Sequence, residues 1–145
     1  MRVSDANNAG NVHGGVIMYL CDEVAGIAAV RHSGCRVVTV AMDRMTFVQP
    51  VYVGHLVTVR ATVNAAWHTS MEVGVRVEAE DPRTGTRRHT STAYVTMVAL
   101  DDAGRPAPVP GVLTATEDER RRQREAELRR ANRLSERDQI LGERL

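Results

Sequence analysis

Aromatic side chains are scarce in this chain: one Trp, one Phe and three Tyr. That excludes the stacked aromatic platforms on which proteins read single-stranded RNA. Cysteine is scarcer still. Cys21 and Cys35 stand at no spacing that a metal site uses, and Cys21 falls inside an apolar run, so the pair reads as two free thiols of a reducing compartment. No sign of charge dominates. Nineteen basic residues against 18 acidic ones leave a formal +1, and with it no whole-chain case for nucleic acid or a membrane surface as partner. A basic segment followed by an apolar stretch is missing at the start, and no apolar run is long enough to span a bilayer. The expectation is a soluble, cytoplasmic protein. Also absent are a phosphate loop, a dinucleotide fingerprint, a zinc spacing, a Gly-x-Ser-x-Gly elbow and any internal repeat.

What is present is core material. Hydrophobic residues make up 43% of 145 positions, enough for one domain with a real core. The richest stretch is residues 5–32. It opens as a polar loop with Asn7, Asn8, Gly10 and Asn11, passes through His13-Gly14-Gly15, and becomes a run from Val16 to Val30 that is apolar or small nearly throughout. Such a run reads as a helix over about 15–32, apolar on most sides and hence buried. Arg31 and His32 suit the negative end of its dipole, and Gly34 suits a left-handed stop.

Strands follow. Residues 36–48 are rich in β-branched side chains up to the break at Gln49-Pro50. Residues 55–67 and 70–80 alternate apolar and polar with period two, around a turn at His68-Thr69. Asp81-Pro82-Arg83-Thr84-Gly85 is a hairpin turn, and residues 86–100 form a last long strand with Thr90, Thr92, Tyr94, Thr96 and Val98 on one side. One buried helix and four strands joined by hairpins predict an α+β fold, an antiparallel sheet wrapped around the helix, with an edge open to pairing. This domain spans 1–115. After Pro106, Pro108 and Pro110, Thr116-Glu117-Asp118-Glu119 forms a capping box. The helix it starts, to about Arg133, has little apolar stripe and reads as a solvated, ion-paired surface helix. Residues 134–145 are expected to fray.

One carboxylate pair, Asp22-Glu23, interrupts the apolar helix. Gly15, Met18, Asp22, Ala25 and Ala29 share a face, while Glu23 lies about 100° round. A buried carboxylate needs a partner or a task, and spacing alone leaves both open. Ala25 and Gly26 leave room beside Asp22. Asn7 by itself reads as a turn residue, and His13 as a residue that orders the loop. Gly14 and Gly15 put bare N–H groups at a positive helix end, where a polarised carbonyl or oxyanion is stabilised.

Asn7-Asn8-Ala9-Gly10-Asn11-Val12-His13-Gly14-Gly15-Val16-Ile17-Met18, then Asp22-Glu23-Val24-Ala25-Gly26 and Arg31-His32, resemble the hotdog-fold acyl-CoA thioesterase (acyl-CoA hydrolase) family. The likeness is to the branch of the brain-type cytosolic acyl-CoA hydrolase and its single-domain bacterial relatives. It continues in order through Val37-Val38-Thr39-Val40, Phe47-Val48-Gln49-Pro50-Val51, Thr69-Ser70-Met71-Glu72-Val73, Val98-Ala99-Leu100-Asp101 and Thr116-Glu117-Asp118-Glu119. The resemblance implies a five- or six-stranded sheet around one helix, and hydrolysis of acyl-CoA to free fatty acid and CoA without metal or redox cofactor. Asp22 matches the catalytic carboxylate, as base or nucleophile. Asn7 matches a loop Asn that holds the water or the thioester and comes from the opposite subunit. Gly14 and Gly15 match the helix start that polarises the thioester carbonyl; Met71 and its neighbours resemble the strand bordering the pantetheine channel, which implies Thr69 and Ser70 as CoA-binding residues. The implied assembly is at least a homodimer, with a trimer of dimers known among relatives. Little chain precedes the loop here, so the family's first strand is expected to be short or missing. A non-catalytic acyl-CoA sensor and a hotdog hydratase or dehydratase are the rival functions.

Overall fold

The computed structural model describes residues 1–144. Its first long element is the helix α1 (Gly14–Ser33), stopped by Gly34 at φ +68°, whose N–H returns to the Val30 carbonyl at 2.8 Å. Only glycine takes that left-handed conformation without strain, so the stop is written into the sequence. Before α1, Val3–Asp5 make one 3₁₀ turn and Ala6 pairs with Val12 in a single bridge. No strand forms among residues 1–13, and the sheet has four strands where the resemblance implied five or six.

Four strands follow: β1 (Arg36–Phe47), β2 (Leu56–Ala66), β3 (Ser70–Glu80) and β4 (Arg87–Leu100). They form one antiparallel sheet in the order β1-β4-β3-β2, so β1 and β2 are its edges. Alternation does the rest. Val73, Val75 and Val77 of β3 and Ala93, Val95 and Met97 of β4 point to one face and are buried, and α1 lies across that face against all four strands. The helix contributes Ile17, Cys21, Ala25 and Ala29, a stripe at i, i+4, i+8 and i+12.

The helix is not apolar-buried on most sides. Met18, Tyr19, Ile27 and Val30 are exposed, Tyr19 by 63% and Ile27 by 53%. The reason is geometric: a four-stranded sheet from one chain reaches round only one side of a helical cylinder. Val38, Val40, Phe47 and Val48 on and just beyond the β1 edge are exposed beside it.

The second correction concerns the C-terminal helix, α2 (Glu117–Gly142). Its capping box forms as expected: the Thr116 hydroxyl accepts the Glu119 N–H at 3.2 Å, and the Glu119 carboxylate accepts the N–H groups of Thr116 and Ala115. It does not end near Arg133 but continues to Gly142; only Leu145 of the expected frayed tail lies outside the described residues. Nor is it simply solvated. Surface pairs such as Arg121–Glu125 are there, but Ala126 is fully buried and the helix packs on the outer face of the sheet. Arginines anchor it where an apolar stripe would ordinarily do so. Arg129 enters between Glu72 and the ring of Tyr94, Arg130 stacks on Trp67, and Arg133 pairs with Asp43. Long stems bury while their charged heads find partners. Among the described residues no helix is long and apolar enough to cross a bilayer.

Both cysteines are free. Burial pushes the Cys21 thiol up to about 11. The folded state therefore holds this proton more tightly than the unfolded chain does. The associated stability is fully present below pH 9 and is lost as pH rises through 11. Unfolding free energy measured against pH is expected to fall across that window, and Cys21→Ala to flatten the fall. A thiol reagent should modify Cys35 in the native protein and leave Cys21 untouched.

Candidate active site

The loop before α1 is ordered by its own side chains. Asn7 Oδ1 accepts the N–H of Ala9 at 2.9 Å and of Asn11 at 3.2 Å, an Asx-type turn that fixes the Asn7 rotamer. The acceptor end is thus occupied, and the two N–H groups of Asn7 Nδ2 have no hydrogen-bond partner among the described residues. His13 caps α1: its Nδ1 accepts the Gly15 N–H at 2.9 Å. His13 is therefore an ordering residue, as the loop reading had it.

Asn7 and Gly14 line one cavity of about 320 Å³, with Ile17, Phe47, Val48 and Val51 among its apolar walls. The Gly14 N–H stands at the positive end of a 20-residue helix and takes no partner among the described residues. A carbonyl oxygen brought there would meet a free donor and a favourable dipole. Gly15 does not share this place. Its N–H is engaged by His13 and it opens onto a separate hollow beside Tyr19. Of the two glycines, the fold brings only Gly14 to Asn7.

Asp22 is half-buried on α1, eight residues beyond Gly14 and so about 12 Å further along the axis. It does not line the Asn7 cavity. Its Oδ1 accepts a 2.6 Å hydrogen bond from the Thr39 hydroxyl of β1. That bond fixes one carboxylate oxygen and leaves Oδ2 available. Thr39 was in view in the sequence but carried no role there; a β-strand Thr is so common that only the contact with Asp22 distinguishes it. Glu23 points to solvent.

Thr69 precedes β3 and Ser70 begins it, pairing with Val98. Val98 also pairs with Val38, next to Thr39. Asp22, Thr39 and Ser70 thus occupy one end of the sheet. Phe47 pairs with Ser91, seven residues and about 23 Å away along β4. Within one chain, then, the fold brings Asn7 to Gly14 and Asp22 to Thr39, while Ser70 shares the sheet end of Thr39 but lies on the opposite face, since Thr39 is level with the core residues Met97 and Met71 and Ser70 with Val98. No group of three or more His, Cys, Asp or Glu among the described residues is placed to hold a metal ion.

Comparison with known proteins identifies the family. The family model for the thioesterase superfamily matches residues 9–86. The cytosolic acyl coenzyme A thioester hydrolase of Rattus norvegicus is 39% identical over 122 residues, 82% of this chain and 32% of that longer protein. An apo-hexameric acyl-CoA thioesterase superposes with a TM-score of 0.90 at 36% identity, covering 94% of this chain and 87% of that one. An acyl-CoA hydrolase of Staphylococcus aureus, solved with butyryl coenzyme A and coenzyme A, superposes with a TM-score of 0.85 at 32% identity, covering 100% of this chain and 91% of that one. Three further structures of the S. aureus protein carry alanine at an Asn, at an Asp fifteen residues later, and at a Thr seventeen residues after that. Asn7, Asp22 and Thr39 stand at the same two separations. On sequence, fold and order of elements together, the chain belongs to the thioesterase superfamily, among the hotdog-fold acyl-CoA thioester hydrolases.

Proposed function

We propose that this enzyme hydrolyses fatty acyl-CoA to free fatty acid and CoA at sites that each draw on two copies of the chain. One copy supplies Asp22 held by Thr39, with Thr69 and Ser70 beside the CoA; the other supplies Asn7 and Gly14. The observation that carries this reading is the separation just described. The helix start with its free N–H lies with Asn7, about 12 Å along α1 from the carboxylate, so one chain alone does not assemble the set. The uncovered apolar residues of α1 and of the β1 edge support a second copy packed there, because an apolar face of this kind on a monomer marks an interface. The hexameric assembly of a close structural relative supports a trimer of such dimers.

In the mechanism, the thioester carbonyl oxygen sits at the Gly14 N–H. An Nδ2 donor of Asn7 orients the water or the carbonyl. Asp22 Oδ2 takes a proton from water as its oxygen attacks the carbonyl carbon, and the oxyanion forms against the helix dipole. Collapse breaks the C–S bond, and the proton on Asp22 passes to the departing CoA sulfur. Direct attack by the carboxylate, through a mixed anhydride that water then opens, uses the same atoms. The steps need no redox group.

Subunit complementation tests the shared site. Asn7→Asp keeps the acceptor that orders the loop and removes the donors; Asp22→Asn removes the base. Each variant alone is expected to be nearly inactive. After random exchange of equal amounts, half of the dimers are mixed, and each mixed dimer has one intact site. About a quarter of wild-type activity should return. No recovery after exchange proven by native mass spectrometry would rule out a site built from two chains.

A further inference from the structure

We infer that the C-terminal helix shapes the substrate cavity through one ion pair, Arg133–Asp43, which holds a strained bulge in β1 and thereby turns Phe47 onto the start of α1. Arg133 and Asp43 are positioning residues in this account. It rests on the proposal that the Asn7–Gly14 cavity receives the thioester.

The argument starts from side-chain alternation. Asp43 points to the outer face of the sheet, where Arg133 of α2 meets it. In a regular strand Met45 and Phe47, two and four residues on, would point outward as well. They do not. Met45 packs against the core, and Phe47 lies over the first residue of α1, its Cζ 3.4 Å from where a Cβ on Gly14 would sit. The parity changes because the register slips. Asp43 pairs with Tyr94 but Thr46 pairs with Thr92, so β1 carries one residue more than β4 in this interval. Such a bulge re-aims the side chains beyond it.

The bulge is strained. Arg44 holds φ at +47°, the one non-glycine residue at positive φ among those described. A left-handed arginine persists only where its surroundings over-determine it. Those surroundings are identifiable: the Thr46 hydroxyl donates to the Arg44 carbonyl at 3.2 Å, and Asp43, immediately before, is fixed by Arg133. Asp43, Arg44, Arg129 and Arg133 also enclose a small cavity of about 120 Å³ with Asn132 and Glu136 of α2. Beyond the bulge, Phe47 becomes a wall of the 320 Å³ cavity that Asn7 and Gly14 share. A helix on the outside of the sheet is thus connected, through the five residues Asp43 to Phe47 of one strand, to a ring at the start of α1.

Steady-state kinetics across a series of acyl-CoA chain lengths tests this. Arg133→Met and Asp43→Asn are expected to raise KM about three- to tenfold, in the lower part of the range of coupling between residues in one network, while kcat moves less than about twofold. Arg133→Lys should lie near wild type, and the swapped pair Asp43→Arg with Arg133→Asp should recover most of the loss. Arg44→Gly, which adopts positive φ without strain, should shrink the effect of Arg133→Met. Phe47→Ala should raise KM by itself, and Arg133→Met added to it should change little more. If Phe47→Ala leaves KM unchanged, the cavity is not the substrate site and both readings fall. If Phe47→Ala raises KM but a folded Arg133→Met does not, or if its effect is additive with Phe47→Ala and survives Arg44→Gly, the link from α2 is overturned while the site stands.

Discussion

Asp22→Asn is expected to leave the protein folded, with thermal unfolding close to wild type, and to lower acyl-CoA turnover by about two decades or more, the contribution of a positioned general base. The substitution is nearly isosteric, and an amide oxygen still accepts the 2.6 Å hydrogen bond from Thr39. What it removes is the oxygen that takes the proton. Release of CoA thiol, followed with a thiol-reactive dye, measures it directly. Near-normal turnover in the folded variant would remove Asp22 from the chemistry. Thr39→Val offers a finer contrast. It keeps the strand and the shape but frees the carboxylate to rotate, so kcat should fall by less than in Asp22→Asn.

The largest expected loss of stability lies on the opposite face of the sheet. Glu72 is 1% exposed, and its carboxylate is held by Arg129 through two parallel bonds, Nη2 to Oε1 at 2.7 Å and Nε to Oε2 at 3.0 Å. Asn64 donates a further bond at 3.1 Å, and the guanidinium lies 3.6 Å from the Tyr94 ring centroid. Arg129→Met leaves a buried carboxylate with one amide donor and no counter-charge, a change that costs about 3–5 kcal/mol. For a chain of this size that lowers the midpoint of thermal unfolding by about 10–16 °C. Replacing both partners, Glu72→Leu with Arg129→Leu, should recover much of the loss, since a buried pair exchanged for apolar groups is often near neutral. A loss under about 1 kcal/mol in the single variant would show that the pair is not desolvated in solution.

The arrangement of the elements was legible because each follows from local rules. The left-handed stop at Gly34, the Asp81–Gly85 turn, the period-two strands and the Thr116–Glu119 capping box all act within a few residues. The site was legible only in part. The ordered resemblance singled out Asn7, Asp22 and Gly14, but spacing could not separate Gly14 from Gly15. The difference lies in which N–H the His13 ring takes, and that depends on a side-chain rotamer. Thr39 likewise is singled out only when β1 folds back alongside α1 and its hydroxyl reaches a carboxylate seventeen residues earlier.

The sequence by itself determined the helix, the four strands, the β2-β3 and β3-β4 hairpins and the family, because periodicity, turn residues and caps are properties of neighbouring positions; that β1 pairs with β4 and not with β2, as strands joined by hairpins would have it, was decided by the tertiary structure. Tertiary structure alone decided which side of α1 is covered, since that depends on how far one sheet can reach. It alone decided that α2 is tied to the sheet: in sequence an arginine that pairs with solvent and one that enters a buried cleft are the same letter. And it alone showed how far apart the candidate residues of one chain lie, with Asn7 and Gly14 at one end of a rigid helix and Asp22 two turns away, a separation that a linear motif does not display.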